Sequence, residues 1–254
     1  MRTSLGLLGL SLAVMATPAF ADETDPPPAV TINGSATVVS DYRFRGISQT
    51  DKQAAIQAGI TVSHQSGLYL GVWGSSVDDY VTASGQSHQE IDVIGGFKKS
   101  YDGTTFDVGA IFYVYPKTKL TGDLTKSNLI EPYVAISHSF GPVTGKATVN
   151  YAPKQKALAL NQTGPKQDNV YIAGDLSASI PNTPFGLTGH IGHTYGPSWF
   201  AIGNGYTDWS VGASYTYKAL SLGVQYVDTN GVFLTPTGRN ASKGGVVVTL
   251  GASF

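Results

Sequence analysis

From Val30 to Arg45 the character of the chain changes at every second residue. Val30, Ile32, Gly34, Ala36, Val38, Ser40, Tyr42 and Phe44 fall on one face. Thr31, Asn33, Ser35, Thr37, Val39, Asp41, Arg43 and Arg45 fall on the other. Successive side chains of a β-strand point to opposite sides, so this alternation predicts a strand with one apolar and one polar face. The polar face carries charge and the apolar face ends in aromatics. That combination is foreign to a soluble sandwich, and it matches a strand set between lipid and a watery lumen. The expected strand runs to Arg45, followed by a polar loop from Gly46.

The same design recurs down the chain. Further strands are expected at Ala54–His64, Leu68–Val77, Gln89–Lys99, Thr104–Tyr115 and Asn128–Phe140, then at Val143–Tyr151, Asn169–Ile180, Phe185–Tyr195, Tyr206–Tyr217, Leu220–Asp228 and Gly244–Phe254. Each can supply the roughly 9–11 residues that a tilted barrel strand needs. In the third, Tyr69 and Trp73 compete with Leu68, Leu70 and Val72 for the outward face, and Pro132 removes one ladder bond from the sixth. The connections alternate in length. Gln65-Ser66-Gly67, Ser100–Gly103, Gly141-Pro142, Pro181–Pro184 and Lys218-Ala219 are short, whereas Ala152–Asp168 and Thr229–Lys243 are long. Short turns at one end and long loops at the other are the habit of outer-membrane barrels. The expected fold is therefore an all-β, antiparallel, up-and-down transmembrane barrel of about twelve strands, with ten or fourteen as alternatives. An even strand number puts both termini on the periplasmic side. Closure leaves no sheet edge exposed to lipid.

Composition agrees. Only 13% of the 254 residues are charged, against roughly 25% in an ordinary soluble domain. Gly (31) and Tyr (14) are abundant, as lipid-crossing strands favour. A net charge of −1 gives no reason to expect nucleic-acid binding. Residues 1–21 read as a secretory signal, with Arg2, the apolar Leu7–Met15 and the cleavage site Ala19-Phe20-Ala21. Asp22–Pro28, the core of a 22–29 lead, is charged and Pro-rich and is expected to be disordered. The absence of Cys suits an oxidising periplasm and excludes thiol chemistry. Phe254 closes an alternating strand with a terminal aromatic, the form of signal by which the barrel-assembly machinery recognises such chains. Aromatics gather at strand ends: Phe106, Phe140, Phe185, Tyr217 and Phe254 by the short turns, and Tyr42, Phe44, Tyr151, Tyr195 and Trp209 by the long loops. Two such belts fit the two lipid interfaces, one of them in lipopolysaccharide.

Four stretches carry a family resemblance: SDYRFRGISQT (Ser40–Thr50), GVWGSSVD (Gly71–Asp78), EIDVIGGFKKS (Glu90–Ser100) and FDVGAIFYVYP (Phe106–Pro116). They resemble the TorF-type porin family of proteobacterial outer membranes. The resemblance implies an outer-membrane barrel and a channel. It supplies no catalytic or ligand residues.

Function is then expected in the lumen. By parity Asp41, Arg43, Arg45, Glu90, Asp92, Asp107, Glu131, Lys146, Asp175, His190 and Asp208 point inward, and charge rings of this kind decide which small polar solutes or ions pass. Arg43 and Arg45 are expected to face Glu90 and Asp92, near the extracellular mouth. Ion pairs filling the barrel are the competing reading. A hydrolase is less well supported. Of His64, His88, His138, His190 and His193, only His190 meets an acid by spacing, Asp175, and no nucleophile joins them. No metal or cofactor site stands out. The long loops Ala152–Asp168 and Trp199–Tyr206 are expected either to bind at the surface or to fold inward as a constriction.

Overall fold

The computed structural model describes residues 28–82, 87–116, 127–160 and 164–254. The expected signal (1–21) and most of the lead lie outside these residues. Twelve strands close into an antiparallel barrel: β1 (Val30–Val39), β4 (Ala55–His64), β5 (Leu68–Ser76), β6 (Gln89–Tyr101), β7 (Thr104–Val114), β8 (Leu129–Phe140), β9 (Val143–Gln155), β10 (Gln167–Ser179), β11 (Phe185–Tyr195), β12 (Tyr206–Tyr217), β13 (Leu220–Thr229) and β14 (Gly245–Ser253). Two short strands, β2 (Arg43–Phe44) and β3 (Ile47–Ser48), form a separate sheet. Each barrel strand pairs with its sequence neighbours, and β14 returns to β1 with Ser35 opposite Ser253. Gly34 and Phe254 exchange backbone bonds at that seam, N to O at 2.8 and 3.0 Å. A Cβ at Gly34 would strike the Phe254 ring, so glycine there gives the last aromatic its seat.

The period-2 pattern sets the two surfaces. Ile56, Leu70, Val108, Val134, Leu176, Val211 and Val246 are exposed on the outside. In β5 the ambiguity resolves with Leu68, Leu70 and Val72 out and Tyr69 and Trp73 in. The turns at one end are tight. Asp102 and Gly103 both take positive φ (45° and 74°), as a two-residue hairpin turn requires. The other end carries the long connections, hereafter the loop end. The loop expected at 152–168 is shorter, because β9 continues to Gln155 and one 3-10 turn, Lys156–Leu158, follows.

The first strand departs most from expectation. β1 stops at Val39, not Arg45, and Ser40–Thr50 turns into the barrel as the β2–β3 hairpin. Tyr42 and Phe44 therefore leave the outer belt: Tyr42 is 3% exposed and Phe44 packs among interior rings. The physical reason is local: Arg45 and Gly46 (φ 47° and 81°) make a tight reversal, and Arg43 and Ser48 both bind Asp41 and close the hairpin.

Candidate functional site

The hairpin lies across the loop-end half of the lumen and touches most of its wall. Its near side is fixed to β6 and β5. The Tyr42 hydroxyl donates to Glu90 Oε1 at 2.7 Å, and the Tyr42 ring meets Trp73 edge-on at 5.6 Å. At the turn, Arg45 reaches across to β8 and β10. It donates from Nη2 to Glu131 Oε1 (2.7 Å) and from Nη1 to Asn169 Oδ1 (2.9 Å), and its guanidinium lies 4.0 Å over the Tyr171 ring. Gly46 presses on the far wall, where a Cβ would come within 2.9 Å of Asp208 and 3.0 Å of Thr229. Both the positive φ and this approach demand glycine.

Inside the hairpin, Arg43 Nε donates to Asp41 Oδ2 at 2.6 Å, and its Nη1 binds the carbonyls of Gly46, Ala241 and Lys243. Ser48 Oγ donates to the other Asp41 oxygen at 2.6 Å. These bonds hold the hairpin rigid and tie it to the loop before β14. Above it sits an apolar lid. Phe44 packs on Phe200 and Tyr113, Trp199 and Tyr80 pack on Phe233, and the Tyr80 hydroxyl donates to the Ser48 carbonyl at 2.5 Å. Burial pushes the Tyr80 phenol up to about 12. A cavity of about 50 Å³ remains among these rings. The Trp199 loop thus folds inward.

Below the hairpin a second polar cluster forms. His190 Nδ1 lies 2.7 Å from Asp175, and its Nε2 lies 3.0 Å from both Asp208 and the Tyr171 hydroxyl. Lys98 pairs with Asp107 at 3.4 Å, and Asp107 also accepts from Tyr69. All eleven of the sequence-derived charged and His positions face the interior, but their pairing differs from expectation. Arg43 and Arg45 bind Asp41 and Glu131, not Glu90 and Asp92. Glu90 instead accepts from Tyr42 and Tyr115, and Asp92 is fully buried with neither oxygen bonded among the described residues. Arg45 also sits within the lumen and not at its mouth, because the hairpin carries it there.

Sequence reasoning missed the neutral hubs. Asn169 accepts from Arg45 and donates to Thr194, Ser198 and the Tyr195 carbonyl. Tyr69, Tyr113, Tyr133 and Tyr171 face inward, and Gly192 leaves room for the Tyr171 ring. Their inward parity, opposite Val and Ile neighbours, was the available signal. Asp175 next to His190 was read correctly. The outward His64 binds Ser66, and His138 binds Thr104 and meets the Phe140 ring at a tilt.

Toward the turn end the lining changes to small hydroxyls and glycine. Ser63, Ser177, Thr188, Ser210, Ser214 and Gln225 face inward and stay partly exposed, whereas Tyr113, Glu131 and Asp208 at the hairpin's level are buried. Among the described residues the interior is therefore polar and partly exposed toward the turn end, while the hairpin and its aromatic lid occupy the loop end.

The described residues close a twelve-stranded antiparallel barrel with a polar interior. It is similar to the NanC porin, at 13% identity and a TM-score of 0.56 over 88% of this chain and 99% of that one. A structure described in work on in-meso crystallisation of membrane proteins matches at 7% identity and a TM-score of 0.53, over 87% of this chain and 83% of that one. An outer-membrane channel from Pseudomonas putida F1 matches at 10% identity, with 93% and 99% of the two chains covered and a TM-score of 0.48. The first two likenesses show the fold alone. The chain belongs to the family Gcw_chp, described as bacterial protein of unknown function, whose profile matches residues 22–254. No curated protein matches it in sequence.

Proposed function

We propose that the protein is an outer-membrane channel for passive diffusion of small polar solutes or ions, with the hairpin of Ser40–Thr50 as its closure. The observation that carries this reading is the lining toward the turn end, where Ser63, Ser177, Thr188, Ser210, Ser214 and Gln225 face inward and stay partly exposed below the hairpin. The exposed Ile, Leu and Val of the outer face and the aromatics Phe106, Phe140, Tyr151, Tyr195 and Tyr217 at the strand ends support a lipid setting. On this reading both termini are periplasmic, residues 1–21 are removed on export, and Phe254 is the signal read by the assembly machinery. The resemblance of the four sequence motifs to the TorF-type porins supports this reading.

A hydrolase reading has less support. Both ring nitrogens of His190 are engaged by Asp175, Asp208 and Tyr171, which leaves none for a hydroxyl nucleophile. Surface adhesion is also less supported, since the aromatic loop residues Tyr80, Trp199, Phe200 and Phe233 pack inward.

The test is liposome swelling with the refolded protein in urea, glycine and small polyols. Solute-dependent swelling, faster when residues 42–49 are replaced by Gly-Ser, supports the channel. No swelling from either protein, both shown to be folded by heat-modifiable migration, overturns it.

A further inference from the structure

Basic groups are unevenly shared around the loop end. Arg239 pairs with Asp51 at 2.8 Å, and His88 lies 3.1 Å from Asp79. The β9–β10 hairpin differs. Its residues 152–168 carry Lys154, Lys156 and Lys166 against one acid, Asp168, in a chain whose net charge is −1. All three lysines are exposed. The ladder gathers them: Gln155 pairs with Gln167, so Lys154 and Lys156 flank one member of the pair and Lys166 adjoins the other. Lys156 Nζ donates to the Gly164 carbonyl at 2.9 Å, two residues from Lys166. Lys154 and Lys166 make no ion pair with any described residue. Three ammoniums so placed repel one another, and an anion among them relieves the repulsion.

Their depth says which anion. Tyr151 and Tyr195, both about half exposed, stand on either side of Val170 in register and make the aromatic belt of this sector. Lys154 follows Tyr151 by three residues, and Lys166 precedes Val170 by four. At about 3.3 Å per residue and a tilt of about 40°, the lysines lie about 8–10 Å beyond the belt, at the depth of lipid headgroups. On the other side of the belt the outer face is apolar, with Val149 opposite Ile172. It is recessed one step further on, where Ala147 stands opposite Gly174 and a Cβ on Gly174 would meet nothing within 4 Å. That recess lies about 10 Å below the belt, within reach of an acyl chain of the same leaflet. A soluble anion would use the lysines alone; a lipid uses both features.

We propose that the outer faces of β9 and β10 form a docking surface for a phosphorylated glycolipid of the outer leaflet. Its phosphates lie on Lys154, Lys156 and Lys166, and one acyl chain lies over the Ala147–Gly174 recess. From the channel reading the proposal takes only that the loop end faces outward; it needs no open pore.

The test is native mass spectrometry of the refolded protein in mixed micelles, titrated with lipid A carrying two phosphates, with the same lipid stripped of both, and with phosphatidylglycerol. Saturable retention of lipid A is expected, with weaker retention of the other two. Changing Lys154, Lys156 and Lys166 together to Gln should weaken it about tenfold or more, and changing all three to Arg should preserve it. Gly174→Leu, which fills the recess, should weaken it less. Lys99→Gln with Lys218→Gln should leave it unchanged, as Lys99 and Lys218 lie at the turn end. Each variant is first shown to be folded by heat-modifiable migration. Equal retention of the stripped lipid or of phosphatidylglycerol, an unchanged triple Gln variant, or an equal loss in the Lys99/Lys218 variant overturns the proposal. Swelling measured alongside separates the two claims. Lipid A retention without permeation upholds this surface and overturns the channel; permeation without lipid A preference does the reverse.

Discussion

Replacing Arg45 with Met removes the cation that bridges the lumen. The Arg45 and Glu131 side chains are 5% and 0% exposed, so neither charge can turn to water when its partner goes. Glu131 keeps its bonds from Tyr113 (3.1 Å) and Asn150 (3.2 Å), which are neutral donors, and Asn169 Oδ1 keeps only the Thr194 hydroxyl at 3.3 Å. The stacking over Tyr171 is lost as well. Stripping one partner from a buried pair costs about 3–5 kcal/mol. Removing both charges, with Arg45→Met and Glu131→Gln together, leaves no stranded carboxylate and should cost well under that. The assay is urea unfolding of the refolded barrel in lipid vesicles, followed by tryptophan fluorescence, with the two single variants and the double one forming a cycle. A loss below about 1 kcal/mol in Arg45→Met, the range of exposed pairs, would mean that water reaches Glu131 and that the hairpin does not seal the lumen.

Other consequences are sharper for being local. Asp92→Asn should raise stability by about 1–3 kcal/mol, since it replaces a buried carboxylate that has no partner; a fall in the urea midpoint would reveal a partner the structure does not show. Gly192→Ala should destabilise by about 1–3 kcal/mol because its methyl meets the Tyr171 ring, and an unchanged midpoint would mean the ring moves freely. A difference ultraviolet titration between the protein and Tyr80→Phe should show a phenol ionising near pH 12. The folded value lies above the ordinary one of 10.0, so this phenol's contribution to stability is complete below pH 10 and is lost as pH rises toward 12; ionisation near 10 would place Tyr80 in solvent. Deleting Phe254 should lower the yield of heat-modifiable barrel, and a normal yield would deny the last residue any part in assembly.

The barrel was legible because its rule is local. One face meets apolar surroundings and the other polar, so parity alone places Ile56 outside and Glu131 inside, and turn residues such as Asp102-Gly103 mark the reversals. The hairpin was not legible by parity, since alternation continues through Asp41, Tyr42, Arg43, Phe44 and Arg45 whether the strand runs on or doubles back. Gly46 was the sign that the chain could reverse there, since it takes a positive φ of 81°. Once the turn is made, a residue's partners depend on where the hairpin lands. Arg45 met Glu131 and Asn169 from distant strands, and Glu90 met two tyrosines, because tertiary placement overrides spacing along the chain. Lys146 and Asp175 show the same limit: register puts them opposite each other, yet His190 takes the carboxylate.

The account turns on the hairpin as the closure of an otherwise open polar lumen. Its most direct test is single-channel current in a planar bilayer under a salt gradient, comparing the refolded protein with the variant in which Gly-Ser replaces residues 42–49. The account predicts small or flickering currents from the intact protein and steady steps, several-fold larger, from the variant. Equal currents, or silence from both folded barrels, would contradict it.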